Sequence, residues 1–107
     1  MNSSDAVAGH ALETFLARTS SSPDPLLQLC NRLHSEYPGD RGSLAPLLLN
    51  VIYLKPGQSF FMGPNEPHAY LFGDCIECMA LSDNVVRAGL TPKFKHVDVL
   101  CSMLHYK

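Results

Sequence analysis

Apolar side chains near the start of the chain recur at the spacing of an amphipathic helix. Their period is close to 3.6 residues, and this predicts a helix over residues 5–18. The apolar positions on the predicted inner face are Val7, Ala11, Leu12, Phe15 and Leu16.

Serine and proline residues interrupt this pattern and then introduce a second helix. We expect Ser22 to act as the N-cap and Pro23 to occupy the first helical position. The side chains expected to face inward are Leu26, Leu29, Cys30 and Leu33. Pro38 and Gly39 end the helix, because proline lacks the amide hydrogen and glycine favours helix termination.

Beyond residue 40 the pattern changes to short apolar runs separated by turn residues. The predicted strands cover residues 47–54, 59–62, 68–72 and 75–81, with a further extended piece that ends at Thr91-Pro92. Val97, Leu100, Cys101 and Leu104 predict a terminal helix. The expected fold class is therefore α+β, with N-terminal helices, a partial antiparallel β barrel or sandwich, and a C-terminal helix. Such a sheet leaves an open edge, which we expect to pair with another chain.

Composition narrows the class of protein. A chain of 107 residues with 46% hydrophobic content has enough apolar material for one folded domain, which excludes a mostly disordered chain. The net charge of −2 and the lack of basic runs argue against nucleic-acid partners, and no segment is apolar enough for a membrane. No secretory leader is visible, and four irregularly spaced cysteines are typical of free thiols. We therefore expect a cytoplasmic protein.

Two polar side chains on the predicted hairpin are candidates for chemistry. Period-two alternation places His68 and Tyr70 on one face of their strand, and Glu77 lies on the return strand. If His68 and Glu77 face the same interior, an imidazole and a carboxylate meet there, which suits a metal site or acid–base catalysis. The alternative is a hydrogen-bonded strand histidine beside a solvated glutamate.

Cys75 and Cys78 have the spacing of zinc and redox motifs. Residues three apart on a strand point to opposite faces, so the two sulfurs are not expected to bind one ion. Small buried thiols are the favoured interpretation, and a thiol redox protein is a further alternative.

A cluster of charged residues follows the hairpin. Arg87 and Lys93 are two cations that can hold an anionic substrate or stabilise a developing enolate. Alternatively, Arg87 pairs with Asp83 and simply fixes the loop.

Four ordered motifs in this region closely resemble the signature of type I mannose-6-phosphate isomerase. They are Asn65-Glu-Pro-His-Ala-Tyr70, Gly73-Asp-x-x-Glu77-Cys-Met-Ala80, Ser82-Asp-Asn-Val-Val-Arg-Ala-Gly89 and Thr91-Pro-Lys93. The resemblance runs from about Asp40 to Tyr106, and Tyr37-Pro-Gly-Asp40 is similar to the segment that leaves the family's helical domain.

The resemblance implies a zinc-dependent isomerase with a cupin-like β core. It interconverts mannose 6-phosphate and fructose 6-phosphate through a cis-enediol and feeds GDP-mannose synthesis. His68 matches a zinc ligand, Arg87 matches an arginine near the sugar C1 and C2 atoms, and Lys93 matches a lysine of the pocket. Tyr70, Glu77 and Asp83 match polar residues that line the same pocket.

The sequence departs from the family where the other metal ligands are expected. The family supplies them from a Gln-x-His motif and a Lys-Pro-Glu motif, and this sequence contains neither. Only one ligand for Zn²⁺ is therefore present, whereas a catalytic zinc site needs about three protein ligands. We expect a fragment with a helical-domain remnant at 1–40 and a partial cupin-like catalytic core at 41–107, inactive alone. The alternative is a non-catalytic cupin-like interaction module or pseudoenzyme.

Overall fold

The computed structural model describes residues 4–82 and 85–104 of the chain. The regular elements in these ranges are all helical. They are α1 (Ser4–Thr19), α2 (Pro25–Glu36), a 3₁₀ helix (Arg41–Leu47) and α3 (Val97–Met103). None of these helices is long and apolar enough to cross a membrane.

Helix α1 confirms the predicted N-terminal helix, with one additional residue at each end. Its inner face is narrower than the pattern suggested, because Leu12 and Leu16 are buried whereas Val7 and Phe15 are exposed. Leu12 and Leu16 pack with Cys30 of α2, and Leu44 of the 3₁₀ helix lies against this cluster. Together with the buried Leu33, these few residues form the hydrophobic core of the described residues, so the stability from apolar burial is concentrated in the first helices.

Helix α2 begins two residues later than the serine-proline pattern predicts. The N-cap is Asp24, whose carboxylate accepts a hydrogen bond from the Leu26 amide at 2.9 Å, and the first helical residue is Pro25. The expected cap, Ser22, instead accepts a longer bond of 3.3 Å from the amide of Asp24. Both pairs place a capping residue before a proline, and the carboxylate has the stronger attraction for the helix N-terminus. The predicted end at Pro38-Gly39 is confirmed, since α2 finishes at Glu36.

The expected α+β fold with a partial cupin-like β core is wrong for this structure. Residues 48–82 and 85–96 contain no strand, so the strands predicted at 47–54, 59–62, 68–72 and 75–81 are not formed, and there is no β edge to pair with another chain. The first of these runs begins inside the 3₁₀ helix, at Leu47.

The physical reason is that no other part of the described structure covers the apolar side chains of this region. Phe61, Phe72 and Ile76 are between 91% and 100% exposed, so they bury almost no apolar surface that could stabilise a sheet. An isolated hairpin is only marginally stable in water, and strands need further strands or a packed layer to persist. Alternation of apolar residues therefore predicts a strand only where a second layer is present.

The chain divides into two compact units. The first contains the residues up to Lys55 together with Gly89–Pro92, and it holds the hydrophobic core. The second contains Pro56–Ala88 and the residues from Lys93 onward, including α3. Helix α3 confirms the predicted terminal helix. None of its residues is buried, and its N-cap is His96, which accepts a hydrogen bond from the Val99 amide at 3.4 Å.

Candidate functional site

His68 lies on an exposed stretch directly after a proline-bounded turn. Its ring Nδ1 is 2.9 Å from the backbone carbonyl oxygen of Glu66. A carbonyl oxygen can only accept, so Nδ1 must carry the proton and donate. In the neutral imidazole this leaves the lone pair on Nε2, which is the arrangement that metal-ligating histidines adopt. This contact therefore favours the tautomer in which Nε2 carries the lone pair that binds a metal ion.

The turn before His68 is fixed by its own residues. The amide of Gly63 donates to the Glu66 carboxylate at 3.3 Å, and Asn65 adopts a positive φ of 62°. Asparagine tolerates this left-handed backbone conformation better than most residues do. The turn thereby presents the Glu66 carbonyl to the His68 ring, and this links the local sequence to the tautomer.

Tyr70 and Glu77 form a direct pair. The Tyr70 hydroxyl donates to Glu77 Oε1 at 2.7 Å, and the His68 and Tyr70 rings lie 5.9 Å apart at an angle of 57°. The hydrogen bond to Glu77 raises the pKa of Tyr70 to about 12, because ionising the phenol would destroy that bond and place two negative charges together. The Glu77 carboxylate therefore contacts the phenol of Tyr70 in this structure, whereas the alternation of residues suggested that it would contact the imidazole of His68.

The two predicted cations differ in their surroundings. Arg87 is half-buried, and it forms no hydrogen bond or ion pair with another residue in the described ranges 4–82 and 85–104. Lys93 is exposed and directly follows Pro92. Asp83 lies outside the described residues, so its predicted place in the pocket and its alternative pairing with Arg87 both stay predictions. The geometry joins His68, Tyr70 and Glu77 into one group.

The cysteines confirm the expected free thiols but not the expected burial. Cys75 and Cys78 are exposed, so the interpretation as small buried thiols is wrong for both. The buried cysteine is Cys30 in the core, and burial raises the pKa of its thiol. All four cysteines are free thiols.

A zinc site requires several converging ligands, and this part of the chain does not assemble them. Among residues 4–82 and 85–104, no three His, Cys, Asp or Glu side chains are grouped so that they could hold a metal ion. His68 fits the role of a single ligand, whereas a catalytic zinc site needs about three from the protein. The described residues alone therefore do not fit a catalytic Zn²⁺.

Sequence reasoning missed one residue that contacts the segment between the two proposed cations in sequence. The Asp40 carboxylate accepts hydrogen bonds from the Gly42 amide at 2.8 Å and from the Leu90 amide at 3.0 Å. The first contact is the N-cap of the 3₁₀ helix, and an aspartate two residues before a glycine is a recognisable capping signal. The second contact spans fifty positions, so no local pattern could have revealed it.

Comparison with known proteins gives one consistent result. The chain is 56% identical over 91 residues to mannose-6-phosphate isomerase of Rattus norvegicus, covering 85% of this chain and 22% of that protein. It is 60% identical over 84 residues to a probable mannose-6-phosphate isomerase of Dictyostelium discoideum, covering 78% of this chain and 19% of that protein. The chain is 60% identical over 79 residues to mannose-6-phosphate isomerase of Homo sapiens, covering 74% of this chain and 19% of that protein.

The chain thus spans about a fifth of the length of the curated relatives that it matches. No protein-family profile matches the chain. No solved structure matches it either. Identity above half, sustained over most of the chain, far exceeds what similar composition would produce. Over its matched residues, the chain belongs to the mannose-6-phosphate isomerase family.

Proposed function

We propose that this chain carries part of the active site of a mannose-6-phosphate isomerase. The observation that carries the proposal is the identity of 54–62% to proteins of that name over about three quarters or more of the chain. The proposed reaction interconverts mannose 6-phosphate and fructose 6-phosphate and serves GDP-mannose synthesis in the cytoplasm. The division into a helical part at 1–40 and a catalytic part at 41–107 belongs to this proposal.

The described side chains support distinct roles in such a reaction. The isomerisation moves a proton between C2 and C1 of the sugar, and negative charge develops on the sugar oxygens as it moves. Arg87 is a half-buried cation without a carboxylate partner among the described residues, so its charge is available to stabilise that oxygen. Lys93 adds a second cation, which is exposed and suits the anionic substrate. Asp83 is proposed as a further polar residue of this pocket.

The Tyr70–Glu77 pair supports proton handling. Glu77 accepts the phenolic hydrogen at 2.7 Å, and the phenol stays protonated at neutral pH because its pKa is about 12. Tyr70 is therefore a donor in this pair, and the carboxylate is the group with lone pairs to accept a further proton. We assign Glu77 to accept or relay the proton and Tyr70 to hold the carboxylate in place.

Zinc enters the proposal only through His68. Its Nδ1 is committed to the Glu66 carbonyl at 2.9 Å, which supports Nε2 as the metal-binding atom. Because the described residues group no three candidate ligands, we expect no stoichiometric Zn²⁺ and no turnover by this chain alone.

Substrate binding tests the proposed function directly. Fructose 6-phosphate would be titrated into the isotope-labelled chain while the NMR signals of Tyr70, Arg87 and Lys93 are followed. We expect these signals to shift with fructose 6-phosphate and much less with fructose, because fructose lacks the negatively charged phosphate that attracts the two cations. The Arg87→Ala variant should lose most of the response, and Arg41→Ala, which breaks the exposed contact between Arg41 and Asp5, serves as the control. Equal shifts with both sugars would contradict the proposal.

Metal content and turnover test the expected inactivity. The purified chain would be analysed for bound zinc and assayed for fructose 6-phosphate formation from mannose 6-phosphate. Weak zinc binding that disappears in His68→Ala is the expected result, with His10→Ala on α1 as the matched control. Stoichiometric zinc together with turnover by this chain alone would contradict the expected inactivity.

A non-catalytic binding chain is the second candidate function. It is favoured by the lack of a three-ligand group in the described ranges and by the strong exposure of Phe61, Phe72 and Ile76. This candidate predicts no response of Arg87 or Lys93 to fructose 6-phosphate, so the same titration distinguishes it from the isomerase.

A further inference from the structure

We infer that Asp40 is a positioning residue for the two proposed substrate cations. Its carboxylate fixes the backbone of Gly89–Pro92, which connects Arg87 to Lys93, and it thereby sets the spacing between the two side chains. The inference rests on the proposed function, in which Arg87 and Lys93 act on a sugar phosphate. Asp40 itself touches neither the substrate nor the reacting atoms, so its effect is exerted through the segment that it holds.

The two carboxylate oxygens of Asp40 have different partners. Oδ1 accepts from the Gly42 amide at 2.8 Å, and Oδ2 accepts from the Leu90 amide at 3.0 Å. The Asp40 carbonyl oxygen also accepts from the amide of Ser43 at 3.1 Å and from its hydroxyl at 2.8 Å, and Ser43 is fully buried. Local contacts with Gly42 and Ser43 therefore hold Asp40 in place, in addition to its bond with Leu90. Hydrogen bonds to an ionised acceptor are among the stronger ones in proteins.

Two glycines allow the close approach. A Cβ at Gly42 would lie 3.0 Å from Asp40 Oδ1 and 3.2 Å from the Leu90 amide nitrogen. A Cβ at Gly89 would lie 3.2 Å from Asp40 Oδ1 and 3.3 Å from the Gly42 Cα. All four distances are tighter than ordinary van der Waals contact. Side chains at either position would push the two backbone segments apart and lengthen the Asp40–Leu90 bond.

Leu90 shows that the segment is held in a conformation it would not adopt freely. Its φ is +53°, in the left-handed region that non-glycine residues rarely occupy without support. Such a conformation persists only where surrounding contacts determine it. The hydrogen bond from the Leu90 amide to Asp40 is such a contact.

The held segment lies between the two cations in sequence. Six fully extended residues would separate Arg87 from Lys93 by roughly 20 Å between Cα atoms. A left-handed residue within a run of bends at 89–93 means that the backbone between them is not extended, so their Cα atoms lie closer together than this limit. Two cations that contact one hexose phosphate need a defined separation. We therefore assign to Asp40 the role of keeping that separation constant.

The first part of the test asks whether the contact exists in solution. At positive φ, the amide and α protons of a residue lie unusually close, so Leu90 should give a strong intraresidue NMR cross-peak and a slowly exchanging amide. In Asp40→Asn the side-chain amide nitrogen cannot accept, so one of the two bonds is lost. We expect the cross-peak to weaken and the Leu90 amide to exchange about tenfold faster. Asp5→Asn, an exposed acid on α1, is the matched control.

Failure of the variant to fold is checked by its helical circular dichroism signal. If Asp40→Asn loses that signal, Gly89→Ala decides, because it keeps the carboxylate and disturbs only the close approach. A Leu90 amide that exchanges freely in the unmutated chain, or equally fast in Asp40→Asn and Asp5→Asn, would overturn the inference.

The second part asks whether the contact matters for the cations. Fructose 6-phosphate is titrated into the unmutated chain and the two variants, and the responses of Arg87 and Lys93 are compared. We expect the apparent affinity to fall severalfold in Asp40→Asn and to stay unchanged in Asp5→Asn. An unchanged affinity in a variant that has lost the Leu90 contact would show that Asp40 is merely structural. No response in the unmutated chain would instead refute the proposed function, and the first part would still report on the contact itself.

Discussion

Ionisation of the Tyr70 phenol is opposed by its hydrogen bond to the Glu77 carboxylate and by the negative charge of that carboxylate. The pair is exposed to solvent, and yet the 2.7 Å hydrogen bond to Glu77 is sufficient to raise the pKa of Tyr70 to about 12. For a group whose folded-state pKa is raised, the stabilisation is present below the unfolded value near 10 and is lost as the pH rises towards 12. The pair is therefore intact throughout the neutral range.

The first prediction follows from this pair. In Glu77→Gln the ionised hydrogen-bond acceptor is replaced by a weaker, neutral one and the neighbouring negative charge is removed, so the pKa of Tyr70 should fall from about 12 towards the ordinary phenol value of 10. The measurement is an NMR titration of the Tyr70 ring carbon, assigned with Tyr70→Phe. Glu66→Gln is the control, because Glu66 bonds to Gly63 and not to the phenol. A midpoint that stays near 12 in Glu77→Gln would assign the shift to another cause.

At the level of single residues, the sequence could predict only part of the candidate site. The polar residues His68, Tyr70 and Glu77 could be singled out, because their types and spacing suit acid–base and metal chemistry. Their pairing could not be derived, since the position of Glu77 opposite Tyr70 depends on the path of the chain between them. The Asp40–Leu90 contact was beyond reach for the same reason, as its partners are fifty positions apart.

Helix α2 illustrates the limits of local signals at the scale of one element. Two polar residues, Ser22 and Asp24, each precede a proline, so the sequence contains two possible starting points. The structure uses Asp24, whose carboxylate is 2.9 Å from the Leu26 amide. The stronger attraction of a carboxylate for the helix N-terminus favours Asp24 over Ser22.

The second prediction distinguishes the two possible caps. Asp24→Ala should lower the free energy of unfolding by about 0.5–2 kcal/mol, because it removes the N-cap of α2. Ser22→Ala should cost less, since the Ser22 hydroxyl accepts only a 3.3 Å bond outside the helix. Urea unfolding followed by helical circular dichroism gives both values. A larger loss for Ser22→Ala would mean that α2 begins at Pro23.

Helices α1 and α2 supply the buried hydrophobic side chains of the described residues. Leu16 is 2% exposed and packs with Leu12 and Cys30. The 3.6-residue period correctly selected Leu12, Leu16, Cys30 and Leu33, because buried positions on a helix recur at that period. It also selected Val7 and Leu26, which are exposed, since the pattern does not reveal how far a neighbouring helix extends.

A third prediction tests this packing. Leu16→Ala should destabilise the first unit by about 2–5 kcal/mol, the usual cost of truncating a buried leucine. Leu48→Ala is the matched control, because Leu48 is 84% exposed and its truncation should cost less than about 0.5 kcal/mol. Thermal unfolding of both variants provides the comparison. Similar losses would mean that the core lies elsewhere.

At the scale of the whole molecule, the main correction concerns the β structure. The sequence from Leu47 to Leu81 contains the apolar alternation and turn residues of strands, but the structure forms no strand within residues 4–82 and 85–104. Sheet formation is a collective property that depends on partner strands and a covering layer. Helices, which satisfy their hydrogen bonds internally, could be predicted far better.

The fourth prediction concerns the exposed apolar side chains of this region. Phe72 and Ile76 are 96% and 100% exposed, and side chains of this kind promote association with other apolar surfaces. Phe72→Asp with Ile76→Lys should reduce concentration-dependent association, measured by light scattering, without changing the helical circular dichroism signal. Asp98→Asn on α3 is a polar control. Undiminished association in the double variant would assign it to other residues.

The bond between Asp40 and Leu90 also closes the backbone into a ring. The entropy lost on closing a flexible ring grows only with the logarithm of its length, so doubling the length costs about 0.6 kcal/mol. The exposed turn at Pro56 and Gly57 lies on this ring, and Gly57 already adopts a positive φ of 84°. Insertions of a few residues at that turn should therefore leave the closure almost undisturbed, and the two ends of the ring should stay joined.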